Sequence, residues 1–369
     1  MRIRTLVPAL ACLAAAPLAT AADSTSVKID GFVDTILSSY SVVDSDPSGA
    51  KDSNTAFSYA AKLGFAATIS EKVAAQVDVV ITGDSVAGGD YGPNGTPDGE
   101  ADASTDGLVV RQAYGTWKIN SDIELKTGKF ISNYGWVAAY APGLYRIGAG
   151  PIVGFYGVDQ VGADVKYSKD AITAAFTLAN GFFGEGYNAD AQSGSGQKDQ
   201  SMALGVDVVY SLADKGSVNV EAVYDMEANP TGGDGIHFGV NATLTPSEPI
   251  TVGAELIYQT VGGADGTTEE DISHLGLLAM VNYKLGNALP VPASVTGMIQ
   301  YASVDNAGFA KDDTETSTEI SVALLTNPAG TDKLGANFEI AYAMDESEDS
   351  TGTTEASTVT LSAELLYVF

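Results

Sequence analysis

The chain has 369 residues, with 18 Lys and Arg against 47 Asp and Glu, a formal charge of −29, 45% apolar residues, 41 Gly, 17 Tyr and a single Cys. So many apolar residues exclude a disordered acidic chain, and the charge repels phosphate backbones, which excludes nucleic acid as a main partner. One cysteine excludes a disulfide scaffold and a thiolate zinc site.

Residues 1–21 have the form of a secretory signal peptide that is removed on export. Met1-Arg2-Ile3-Arg4 is basic, 5–18 is almost wholly apolar, and Ala19-Thr20-Ala21 is a small-x-small cleavage site. A lipoprotein anchor at Cys12 is the weaker reading, because Cys12 lies inside the apolar stretch with Ala9 where a branched aliphatic is usual. The exported part, 22–369, is expected to be a single domain.

Beyond residue 22 no run of 18 apolar residues occurs, so no transmembrane helix is expected. Alternation replaces it. In 57–69 the apolar Phe57, Tyr59, Ala61, Leu63, Phe65, Ala67 and Ile69 share one parity, and Ser58, Lys62, Gly64 and Thr68 take the other. That is the period of a strand with one apolar and one polar face. The same period marks 26–39, 73–82, 108–119, 123–131, 158–167, 171–180, 201–212, 217–226, 236–244, 250–260, 273–285, 293–303, 316–326, 333–344 and 356–369, sixteen strands in all.

The connections alternate too. Those at 70–72, 120–122, 168–170, 213–216, 245–249, 286–292 and 327–332 are short, and those at 40–56, 83–107, 132–157, 181–200, 227–235, 261–272, 304–315 and 345–355 are longer. Short turns at one end and long loops at the other are the habit of an outer-membrane barrel. Strand 108–119 is ambiguous in parity, because its apolar pattern puts Arg111 on the lipid side unless a bulge intervenes.

With the apolar parity facing lipid, the acids Asp30, Asp34, Asp78, Glu124, Asp164, Asp207, Glu221, Asp225, Glu255, Glu319, Glu339 and Glu364 face inward. Lys28, Lys62, Lys126, Lys166 and Lys284 face inward with them. A soluble sandwich would produce the same alternation, but tyrosine placement separates the two. Tyr167, Tyr210, Tyr283 and Tyr367 close strands at the short-turn end, and Tyr224, Tyr258, Tyr301 and Tyr342 at the long-loop end, all on the apolar parity. Two belts of amphipathic rings suit two lipid–water boundaries.

The chain ends in Leu365-Leu366-Tyr367-Val368-Phe369. This resembles the closing strand of bacterial outer-membrane proteins, with Tyr367 and Phe369 as the signal that the barrel assembly machinery reads. Within that class the chain resembles the OmpL-like β-barrel porins. The resemblance rests on Ile29-Asp30-Gly31-Phe32-Val33-Asp34, on Thr127-Gly128-Lys129-Phe130 followed by Tyr134-Gly135-Trp136, and on Ala179-Asn180-Gly181-Phe182. It implies a passive diffusion channel with a loop folded into the pore. The implied partners are outer-membrane lipid, lipopolysaccharide, the assembly machinery and further copies in a trimer.

The long connection 132–157 is rich in Gly and aromatics and carries Arg146 as its only charge. Two placements remain open for it. It either enters the lumen as a constriction built from Tyr134, Trp136, Tyr145 and Arg146, or it caps the rim or packs on a neighbouring subunit. His237 and His274 share inward parity at similar height, but two histidines without a third ligand make hydrated lumen residues a better reading than a metal site. Asp98-Gly99-Glu100-Ala101-Asp102 alternates oxygen ligands yet lacks a distal bidentate Glu, so an exposed acidic loop is the better reading than a formed calcium site. No Ser-His-acid spacing points to an enzyme, and no cofactor is implied. The expected function is a weakly cation-selective channel for small hydrophilic solutes and ions. The alternative is a barrel whose acidic external loops act as a surface adhesin.

Overall fold

The computed structural model describes residues 26–45, 53–84, 90–91, 97–98, 107–137, 143–148, 150–156, 159–182, 202–226, 228, 233–262, 271–305, 313–349 and 352–369. The signal-peptide reading of 1–21 and most of the acidic run at 98–102 lie outside them. The alternating segments form β1 (Ser26–Ser45), β2 (Ser53–Thr68), β3 (Val73–Asp84), β4 (Gly107–Lys118), β5 (Ile123–Phe130), β6 (Gln160–Lys169), β7 (Ile172–Ala179) and β8 (Met202–Ser211). The second half adds β9 (Gly216–Met226), β10 (Gly235–Ser247), β11 (Ile250–Val261), β12 (Ile272–Lys284), β13 (Ala293–Asp305), β14 (Thr314–Thr326), β15 (Leu334–Asp349) and β16 (Gly352–Val368). Every strand pairs antiparallel with its neighbours in sequence, and β1 pairs with β16, so the sheet closes into a barrel of sixteen strands. A separate two-residue pairing joins Asp90–Tyr91 to Pro97–Asp98 in the connection after β3.

Parity sorts the two faces. Ile29 and Val33 on β1, Leu204, Val206 and Val208 on β8, and Phe338 and Ile340 on β15 are exposed outward. Their neighbours of opposite parity, including Asp34, Asp207 and Glu339, are buried inside. An exposed apolar band that runs around a closed sheet is what lipid covers. The tyrosines at 167, 210, 224, 258, 283 and 367 are exposed on that outer face, and Tyr301 and Tyr342 are half-buried there.

At β4 the register slips by one residue. Asp78 faces Gln112 while Val79 faces Val110, so Arg111 is the extra residue of a β-bulge. Gln112 then points inward and donates to Asp78 (2.6 Å), and Arg111 pairs with Asp159 at 3.3 Å.

Several strands run past the ends that alternation marks. β15 and β16 stay paired up to Asp349 and Gly352, so most of the expected connection at 345–355 is strand. Above the membrane both faces of a strand meet water, and the apolar–polar contrast fades while main-chain pairing continues.

The seam between β1 and β16 is tight. Phe369 and Gly31 exchange main-chain hydrogen bonds of 3.0 and 3.2 Å. A Cβ on Gly31 would strike the Lys62 carbonyl and the Phe369 ring, so only glycine fits at that crossing.

Candidate functional site

The segment between β5 and β6, described over 132–137, 143–148 and 150–156, lies inside the barrel against the wall from β8 to β15. Wall carboxylates hold its main chain. Gly135 N–H donates to Glu221 (3.0 Å), Trp136 N–H to Glu255 (2.8 Å) and Ile147 N–H to Glu339 (2.7 Å). The Tyr156 hydroxyl donates to Glu255 and accepts from Val137 N–H at 3.2 Å. Buried Arg146 donates Nε–H and Nη2–H to the two oxygens of Glu339 (3.3 and 2.7 Å), and its Nη1 pairs with Glu319. Burial alone would lower the Arg146 pKa, but the charges of Glu339 and then Glu319 outweigh it, and the pKa is raised. This side chain stays a cation.

Apolar packing adds to the anchoring. Pro151–Phe155 forms a 3-10 turn whose Ile152 and Phe155, with Tyr156, pack on the inward Ile257, Leu278, Met280, Met298 and Ala302. Wall glycines make room for the rings. A Cβ on Gly205, Gly253 or Gly276 would meet the Tyr134 hydroxyl, the Trp136 ring or the Phe155 ring respectively. The rings of Trp136 and Tyr145 stack with centroids 5.5 Å apart and planes 7° from parallel.

The opposite wall is organised by side-chain charge. Lys62 bridges Asp30 (3.2 Å) and Asp78 (3.3 Å). Lys126 pairs with Asp164 (3.3 Å), Asn133 links the same two residues, and the ammonium lies 4.3 Å from the Phe130 ring centroid. Glu124 and Lys166 sit directly opposite each other on β5 and β6. Asp207 and Asp34 are buried, each with one oxygen lacking a protein partner.

The two histidines are joined rather than free. Gln259 lies between them, with its Oε1 2.9 Å from His274 Nδ1 and its Nε2 2.8 Å from His237 Nδ1. The same amide nitrogen donates to the Phe155 carbonyl, which fixes the amide's orientation. His237 Nδ1 therefore accepts, and its Nε2–H donates to Glu221 at 3.1 Å. Among the described residues no cluster of three or more His, Cys, Asp or Glu is placed to hold a metal.

Inward charge thus meets two environments. Lys62, Lys126, Glu124 and Lys166 keep some exposure, whereas Glu221, Glu255 and Glu339 are covered by the loop and bond to it. Parity put all of them on one face, and it missed the glycines and apolar residues that receive the loop. Their signal is in the sequence: Leu275, Leu277, Leu278 and Met280 make β12 apolar on both faces just where Gly276 interrupts. At the closing strand, Tyr367 is exposed outward between Val33 and Leu334.

Comparison with known proteins agrees with this architecture. The family model described as beta-barrel porin-2, OmpL-like, matches residues 26–293. The fold is similar to an anion-selective porin from Comamonas acidovorans at 14% identity and TM-score 0.64, over 94% of this chain and 100% of that one. It is also similar to the outer membrane channel DcaP of Acinetobacter baumannii at 15% identity and TM-score 0.62, over 94% and 98%. In-vitro folded OmpT of Vibrio cholerae, in its trimer form, matches at 12% identity and TM-score 0.56, over 94% and 100%. No curated protein sequence matches the chain.

Proposed function

Because the chain belongs to the OmpL-like beta-barrel porin-2 family and is an outer-membrane barrel of the channel type, we propose that it is a weakly cation-selective diffusion pore for small hydrophilic solutes and ions. Sixteen strands enclose a bore too wide for wall side chains alone to fill. The inserted loop narrows that bore, and Tyr134, Trp136, Tyr145 and Arg146 are its constriction residues.

The observation that carries the selectivity is the surplus of carboxylate over cation in the ion pairs of Lys62, Lys126 and Arg146. Lys62 contacts two carboxylates, Arg146 contacts two, and Lys126 contacts one. At these three points five carboxylates surround three cations, so no cation is left to attract anions there and the net local charge is negative. Such a field favours cations, with screening over about 8 Å at physiological salt. The anion-selective Comamonas porin shares the fold at 14% identity, too distant for its selectivity to carry over.

The experiment is the reversal potential of the purified protein in a planar bilayer across a KCl gradient. Cation preference that weakens as salt rises is the expected outcome, and a clear anion preference refutes it. The barrel's lipid-facing band implies contact with membrane lipid and lipopolysaccharide, and its final strand implies recognition by the barrel assembly machinery. A trimer is the proposed assembly, to be checked by cross-linking in native membranes.

A further inference from the structure

Between the inserted loop and the wall from β8 to β13 lies a cavity of about 270 Å³. That is close to the lower end of the roughly 300–1,000 Å³ typical of small-molecule sites, room for a solute built on one ring. On the loop side its lining includes the stacked Trp136 and Tyr145 together with Arg146. On the wall side it includes Asn219, Asn241 and Thr243.

The wall offers hydrogen bonds that the protein leaves unmade. Asn241 is 8% exposed and its Nδ2 has no protein partner. Its cross-strand neighbour Asn219 donates Nδ2–H to Glu221 (3.1 Å) and leaves a buried Oδ1 equally unpartnered. Buried amide atoms are almost always satisfied, so a donor and an acceptor left open side by side call for a group that can both accept and donate. A hydroxyl is such a group. Thr243 Oγ1 accepts from Trp136 Nε1–H (2.6 Å), which leaves its own proton free to donate to a solute.

Charge narrows the ligand class further. Arg146 uses three of its five N–H donors on Glu319 and Glu339, and those two carboxylates outweigh its single positive charge. An anion gains no net attraction there, and among the described residues the cavity lining holds no carboxylate to receive a cation. A neutral solute with several hydroxyls suffers neither penalty, and an aromatic wall facing a row of amides and a hydroxyl suits a ring with one apolar face and a polar edge.

We propose that this cavity is a binding subsite for a neutral saccharide ring, with Asn219, Asn241 and Thr243 as its hydroxyl-recognising residues and Trp136 and Tyr145 as its apolar wall. The proposal rests on the channel reading above, since solute must reach the barrel interior.

The test uses the full mature protein in a planar bilayer, with glucose added and glycerol at matched viscosity as the control. Glucose is expected to interrupt the ion current reversibly where glycerol does not. Asn241→Leu and Asn219→Leu are expected to raise the half-blocking glucose concentration roughly tenfold, about 1.4 kcal/mol, and the milder Asn241→Ser guards against a folding defect. A channel that conducts but responds to glucose only as to glycerol overturns the subsite and leaves the channel reading standing. Variants that block like the native protein also overturn it. If no conductance is seen, the channel reading falls and tryptophan fluorescence in detergent decides the subsite alone. Trp136 lines the cavity, whereas Trp117 is exposed on the lipid-facing side. A saturable glucose-dependent change lost in Asn241→Leu supports the site, and an unresponsive signal overturns it.

Discussion

The wall around Lys62 and the wall around Glu255 both carry acids at the same inward parity, yet they hold them differently. At Lys62 a largely buried ammonium answers the carboxylates of Asp30, which keeps contact with water, and Asp78, which is buried. At Glu221, Glu255 and Glu339 the carboxylates are covered and answered by main-chain N–H groups of the loop together with its Arg146 guanidinium and Tyr156 hydroxyl. An acid on a barrel's inner face is therefore not by itself a statement about ions. It acts on permeant charge where water reaches it, and as an anchor where a loop covers it.

The largest expected effect breaks the anchored side. Glu339→Ala strips Arg146 of its bidentate partner and Ile147 N–H of its acceptor. Removing one partner of a buried ion pair costs about 3–5 kcal/mol, enough to release the loop. Single-channel conductance should rise, and an unchanged conductance would mean that the loop is held mainly by its apolar cluster. Next in size is a test of inside against outside. Leu256→Lys places a charge on the lipid face at a cost of about 2–4 kcal/mol, whereas Thr173→Lys places it inside. Refolding yield into liposomes should fall only for the first.

Tyr156→Phe removes one donor to Glu255 and leaves Trp136 N–H in place. Hydrogen bonds to charged groups are worth about 1.5–3 kcal/mol, so the loop should loosen without leaving, visible as added current noise at nearly native conductance. Smallest is Lys62→Met on the ion-paired side. It frees Asp30 and Asp78 to act on permeant ions, while Gln76 and Gln112 still donate to Asp78. The reversal potential should move toward stronger cation preference, and the shift should shrink as salt rises.

How much of this was legible in the sequence follows the same division. Strand count, order and facing were readable because lipid on one side and a polar interior on the other impose a period of two on every strand. The Arg111 bulge was visible as a parity conflict, since a charge on the lipid side demanded a slip. The placement of the loop was not legible, because a Gly-rich aromatic segment suits a lumen, a rim or a subunit contact equally well. Its docking depends on residues far apart in sequence, such as Gly135 with Glu221 and Arg146 with Glu339. The Gln259 link between the histidines was hidden for the same reason, as three strands must be aligned before it forms.

The seam joining β1 to β16 has a kinetic consequence. Most strand pairs here join neighbours in sequence, which close short loops and can form locally, but Phe32 opposite Val368 closes a loop of nearly the whole chain. The entropy of that closure grows only logarithmically with length, so the finished barrel is not much weakened by it. The waiting time is another matter, because distant contacts slow folding. Until the last strand arrives, the far edge of β1 presents a row of unpaired N–H and C=O groups to whatever is near, and an open edge is a template for wrong partners. Ring closure at Gly31 and Phe369 is therefore the step that commits the polypeptide, and the interval before it is when the protein is most open to aggregation.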